Sequence, residues 1–132
     1  MRYMLDTNIC VYLIKKKPVN VLMHLHSHIG DDLAISAITL AKLLHGVEAS
    51  AYPEKNTIAL NQFLSIVDIL AFDSEAAVAY GKICTSLRRQ GTPIGMMDLL
   101  IAAHAKSRDL IIVTNNVCEF ERVEGLELEN WV

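Results

Sequence analysis

Asp6 follows the apolar run Tyr3, Met4, Leu5, Ser36 closes "LAIS", and Thr114, Asn115 and Asn116 follow "LIIV". Asp98 lies in the first turn of the helical pattern opened by "GTPIGMMD". Residues of these types can cap a helix with a side-chain oxygen, and acids gathered at one point can hold a hard divalent cation. For Asp6 alone the capping role is sufficient. "LDTN" marks the junction of a strand-like and a helix-like run, where side-chain oxygens accept bonds from the free amides of a first turn. A chemical role requires these separated residues to converge.

The elements between them provide for that. Strand-like runs recur at 2–5, 33–36, 67–72, 110–114 and 126–130, while 8–16, 19–29, 37–50, 54–66, 74–90 and 96–107 carry apolar residues at helical spacing. Strands alternating with helices imply βαβ crossovers, hence an α/β fold with a mostly parallel sheet covered on both faces. Breakers fall between elements: Pro18, Pro53 and the loop "GTPIG" from Gly91 to Gly95. In such sheets ligands bind beyond the carboxyl ends of the strands, the edge where Asp6, Ser36 and Thr114–Asn116 stand.

The 132 residues suit one domain, 1–132, and 52% hydrophobic against 20% charged residues excludes a disordered chain. No apolar run reaches the roughly 18 residues of a membrane span, so a cytoplasmic protein is expected. Cys10, Cys84 and Cys118 are far apart and lack a C-x-x-C spacing, which predicts reduced thiols. A formal net charge of -3 argues against holding nucleic acid by bulk attraction. Local cations, Lys15, Lys16, Lys17, Arg88 and Arg89, could still meet phosphates, although solvated helix ends account for them equally well.

"MLDTN", "ISAITLAKLLHG", "GTPIGMMDLLIAAHA" and "IIVTNNVCEF", together with "FDSEAAVAYGKI" and "LELENW", resemble the PIN-domain family, and specifically the VapC-type toxins of toxin–antitoxin pairs. The resemblance runs nearly end to end. It implies a three-layer α/β/α domain and an endoribonuclease using Mg²⁺ or Mn²⁺, inhibited by a VapB-type antitoxin. It also implies a homodimer that assembles further with the antitoxin, and by analogy with close relatives an RNA target in the anticodon stem-loop of initiator tRNA. Position by position, Asp6 and Asp98 match metal-ligating acids, and Asn116 falls where relatives carry Asp or Asn. Asn8, Thr114 and Ser36 would orient the carboxylates.

One position departs from the pattern. Where the family's helix motif has Glu, three residues after Thr39, this chain has Lys42. Two unit charges 4 Å apart interact by about 4 kcal/mol at an effective dielectric near 20, so an ammonium facing a divalent ion opposes it by about twice that. Weak metal binding and impaired cleavage are therefore expected, with the ammonium replacing the ion as counter-charge to Asp6 and Asp98. Lys42 fits a degenerate toxin that keeps its partner surface, or a single-base inactivating change from Glu.

Other residues receive plainer readings. His24, His26 and His28 are expected on a solvent-facing helix, and His104 beside the core with one ring nitrogen bonded. Glu119 is the best auxiliary ligand among Glu75, Glu119 and Glu121, but is read first as a helix-start carboxylate. Met96 and Met97 are expected to fill gaps near the site or at a subunit contact. Two competing functions are a non-catalytic PIN-fold protein that binds antitoxin or RNA in operon regulation and, more remotely, a receiver-like α/β domain with an acidic pocket.

Overall fold

Tyr3 to Asp6 are all buried, as befits a strand covered on both faces at the centre of a parallel sheet. The computed structural model describes residues 2–28 and 30–132. Chain order is β1 (Arg2–Leu5), α1 (Thr7–Lys15), α2 (Val19–Ser27), β2 (Asp32–Ser36), α3 (Ala37–Glu48) and α4 (Pro53–Leu64). Then follow β3 (Asp68–Leu70), α5 (Ser74–Arg89), α6 (Met96–Ser107), β4 (Ile111–Val113), α7 (Val117–Phe120) and β5 (Leu128–Glu129).

The strands pair in the order β3-β2-β1-β4-β5, and every pairing is parallel. Strand alternation sorts their side chains into two cores. Tyr3, Leu5, Leu33, Ile35, Ile111 and Val113 pack with α1 to α4 on one face. Met4, Leu110 and Ile112 pack with α5, α6 and Phe120 on the other. The result is the three-layer α/β/α arrangement. From β1 the chain builds β2 and β3 on one side, then returns through α5 and α6 to lay β4 and β5 on the other. The order reverses between β1 and β4, so the crevice at their carboxyl ends is the topological switch point. There Asp6 continues the ladder, its amide donating to the Val113 carbonyl at 2.9 Å.

The expected strands 67–72 and 126–130 contract to three and two residues. Both are edge strands, and a strand paired on one side only stops where its single partner ends. The second helix ends at Ser27, and its expected last residue, 29, lies outside the described residues. The four-residue α7 was not foreseen, being too short to show a helical period. Among the described residues no helix is long and apolar enough to cross a membrane.

The histidine expectation needs correction. His26 is exposed, but His24 and His28 are partly covered and stack on Trp131, with ring centroids 5.6 and 4.7 Å away. They occupy one helix face at i, i+4 spacing, and the indole that covers them comes from the opposite end of the chain. Trp131 also meets Tyr3 at 5.8 Å and donates its ring N–H to Glu129 Oε1 at 3.0 Å. Fully buried, it fastens the C-terminal segment to β1 and α2. Trp131→Ala is therefore expected to cost about 3–5 kcal/mol of unfolding free energy in urea melts. A loss under about 1 kcal/mol would show that the segment is not anchored by this ring.

Candidate functional site

At the switch point the Asp6 carboxylate is 3% exposed, and both of its oxygens are held. The Thr7 amide donates to Oδ1 at 2.7 Å and the Thr114 hydroxyl to Oδ2 at 2.8 Å. The first bond is the helix cap foreseen for α1. The second ties the end of β1 to the end of β4, and the Thr114 oxygen in turn accepts the Asn116 amide at 2.9 Å. Each carboxylate oxygen retains a lone pair for a further partner. Asp6 therefore both caps its helix and presents an anchored anion to the crevice.

Asp98, in the first turn of α6, approaches from the second core. The Asn116 side-chain amide donates to Glu119 Oε2 at 2.8 Å and to Asp98 Oδ2 at 3.4 Å. Asp98 and Glu119 also share a hydrogen bond, so one acid must keep a proton for the pair to be favourable. It is Asp98. Burial first, then the bond to Glu119 and the charges of Asp6 and Glu119, raise its pKa to about 6. The bonds from Asp98 and Asn116 lower that of Glu119. Glu119 is the helix-start carboxylate expected, in the first turn of α7, and it also bonds Asn116 and Asp98. The side chain of Asn116 does not cap α7; it joins two acids.

The third contributor comes from α3, which starts where β2 ends. The Ser36 hydroxyl accepts the Ile38 amide at 3.1 Å, so the first turns of α3 begin beside the crevice. Thr39 is fully buried with its hydroxyl unpartnered, and Lys42 lies one turn further, half-buried. The Lys42 charge lowers the Asp98 pKa, the smallest of five influences, and among the described residues it forms no ion pair within 4.0 Å. As a counter-charge it acts in the expected direction but is outweighed by burial and by the neighbouring acids.

Two residues expected near the carboxylates turn elsewhere. The exposed Asn8 donates to Asn115 Oδ1 at 3.3 Å, and Asn115 donates to the Tyr12 hydroxyl at 3.2 Å, a chain along the rim. Ser36 meets His104 Nδ1 at 2.8 Å. His104 is wholly buried, and burial holds its pKa down, so the ring is neutral and locks α6 to the start of α3. Asn115, Tyr12 and Thr39 were not assigned roles from sequence, because their partners lie far along the chain. Met96 is 69% exposed and Met97 39%, so neither fills an internal gap.

Asp6 and Asp98 are suitable donors for a hydrated Mg²⁺ or Mn²⁺, which needs only one or two carboxylates. The set as it stands does not fit a firmly held ion. Among the described residues no three Asp, Glu, His or Cys side chains gather as a metal site, and a cation occupies position 42.

The protonated Asp98 has a stability consequence. Its pKa is higher folded than unfolded, so its favourable contribution is complete below about pH 4 and is lost as pH rises through about 6. Asn at this position can donate to Glu119 as the protonated acid does. In EDTA, Asp98→Asn should match the parent's melting temperature near pH 4 and exceed it by a few degrees at pH 8. An equal or lower melting temperature at pH 8 would contradict this arrangement.

Known proteins resemble this chain along nearly its whole length. The PIN domain profile matches residues 3–126. The tRNA(fMet)-specific endonuclease VapC of Shigella flexneri is 47% identical over 131 residues, covering 99% of this chain and 98% of the relative. Ribonuclease VapC2 of Haemophilus influenzae is 46% identical over 132 residues, covering 100% and 99%. The VapBC2 structure from Rickettsia felis, bound to a promoter DNA fragment, aligns with a TM-score of 0.95 at 44% identity and covers 100% of both chains. DNA-bound VapBC from Salmonella typhimurium gives 0.93 at 42%, covering 100% of this chain and 99% of that one. The chain belongs to the PIN-domain family, among the VapC-type ribonucleases of toxin–antitoxin systems.

Proposed function

We propose that this chain is the toxin subunit of a VapBC-type pair, an endoribonuclease whose cleavage site is the crevice between Asp6 and Asp98 and whose present form is impaired by Lys42. The observation that carries the proposal is the approach of Asp6 and Asp98 to the switch point, with Thr114 holding Asp6 and Asn116 linking Asp98 to Glu119. Asp6 and Asp98 are the metal ligands in this reading. With Glu at position 42, a third carboxylate would face them and the set would suit Mg²⁺ or Mn²⁺, which can activate water and stabilise phosphoryl charge. Asn116 and Thr114 hold the acids in place, while Glu119 takes the Asp98 proton contact.

Relatives named as tRNA(fMet)-specific endonucleases support initiator tRNA as the substrate, and a cytoplasmic site of action accords with that reading. Complexes of similar chains, VapBC and FitAB, support an antitoxin partner, and a homodimer that assembles further with it belongs to the same reading. A groove of about 460 Å³ between α1, α2 and α4, lined by Leu13, Ile14, Leu22, Leu25, Phe63 and Ile66, suits the apolar face of an antitoxin helix. A second reading, a binding protein without catalysis, draws on Lys42 itself: the partner surfaces remain while the donor set is incomplete.

Cleavage of a bulk tRNA pool by the parent and by Lys42→Glu, with Mg²⁺ or Mn²⁺ and with EDTA, separates the two. The variant should cut with metal and stop in EDTA, and the parent should be slower by roughly 100-fold or more, given the size of the repulsion at position 42. Equal rates would remove Lys42 from the site. If neither protein cuts, the binding reading replaces the nuclease one.

A further inference from the structure

The proposed cleavage crevice is acidic, and the chain carries a formal charge of -3, so neither attracts a polyanionic substrate by its own charge. The cations that could do so gather elsewhere. On the outer side of α5 two open, adjoining cavities of about 530 and 420 Å³ share Lys82 and Ser86. Arg89 lines the first, and Lys106 and Arg122 line the second. Lys82 and Arg89 are seven residues apart on α5, two turns and about 10 Å along one face.

None of these four cations forms an ion pair within 4.0 Å among the described residues. The ammonium of Lys106 donates to the Glu124 main-chain oxygen rather than to a carboxylate. Glu124 is the one acid in either lining among the described residues. Unpaired cations cost repulsion unless an anion visits them, and hydroxyls and main chain between them leave room for phosphate oxygens. The patch also leads to the crevice. Arg122 donates to the Pro93 carbonyl at 2.9 Å, in the loop that launches α6 and Asp98, and its charge acts on Glu119.

We infer that this basic surface, Lys82 and Arg89 on α5 with Lys106 and Arg122 beside them, grips the phosphate backbone of the RNA and feeds it toward the Asp6–Asp98 crevice. The inference rests on the nuclease reading for its substrate but not on catalysis. Backbone contacts of this kind position a strand without reading its sequence.

The test is binding of fluorescently labelled bulk tRNA in EDTA, followed by anisotropy over a range of salt, for the protein and for Lys82→Gln/Arg89→Gln. Both substituted residues are exposed, so the fold should survive, and thermal melting checks that it does. The double variant should bind roughly tenfold more weakly near 0.1 M salt, and its slope of log affinity against log salt should be shallower by about 1.4 to 1.8 for two lost phosphate contacts. Unchanged affinity and slope would overturn the inference, as would absence of tRNA binding by the unmodified protein. A duplex DNA bound equally well and weakened equally would overturn the assignment to RNA. A change of oligomeric state in sedimentation, with tRNA affinity intact, would make the patch a protein interface instead. Because no cleavage is measured, failure here leaves the Lys42→Glu cleavage test standing, and failure there leaves this one.

Discussion

A carboxylate buried at the end of the central strand must have partners, and the ones Asp6 has determine where the rest of the crevice goes. Uncompensated, such a charge would cost several kcal/mol. The Thr7 amide and the Thr114 hydroxyl supply the compensation from two directions, one from its own helix and one from the neighbouring strand. The second bond sets the turn after β4, since the same hydroxyl receives the Asn116 amide. Asn116 then reaches Asp98 and Glu119. Three segments distant in sequence are thus aligned on one anion.

Gathering acids in this way creates repulsion that something must relieve. A divalent ion would do so in a ribonuclease of this family, and groups of the chain itself also contribute. Below about pH 6 a proton on Asp98, shared toward Glu119, removes one charge, and Lys42 adds a remote positive one. Both devices compete with an ion for the same electrostatic role. Changing residue 42 to Glu would add an acid and remove the cation together, so one side chain on α3 shifts the charge of the crevice by two units.

Much of this was legible in the sequence because it rests on local pattern. Asp6 and Ser36 stand at strand-to-helix junctions, and both do cap the helices that follow them. The alternation of runs yields a parallel sheet, and the carboxyl-edge rule brings Asp6, Thr114 and Asn116 together. What was not legible depends on contacts between distant segments. Glu119 could not be told from a helix-start acid until α7 was seen to place it against Asp98. His24 and His28 looked solvent-facing because their cover, Trp131, lies about a hundred residues away. Ser36 looked like a crevice residue, but its partner is His104, 68 positions on.

The proposed role of Lys42 is to weaken the hold of Asp6 and Asp98 on a divalent ion. Mn²⁺ binding, followed by electron paramagnetic resonance at pH 8 for the protein and for Lys42→Glu, tests it without any RNA. The account predicts roughly 100-fold tighter binding by the variant, lost again when Asp6 is also changed to Asn. Equal Mn²⁺ affinity in the two proteins would contradict it.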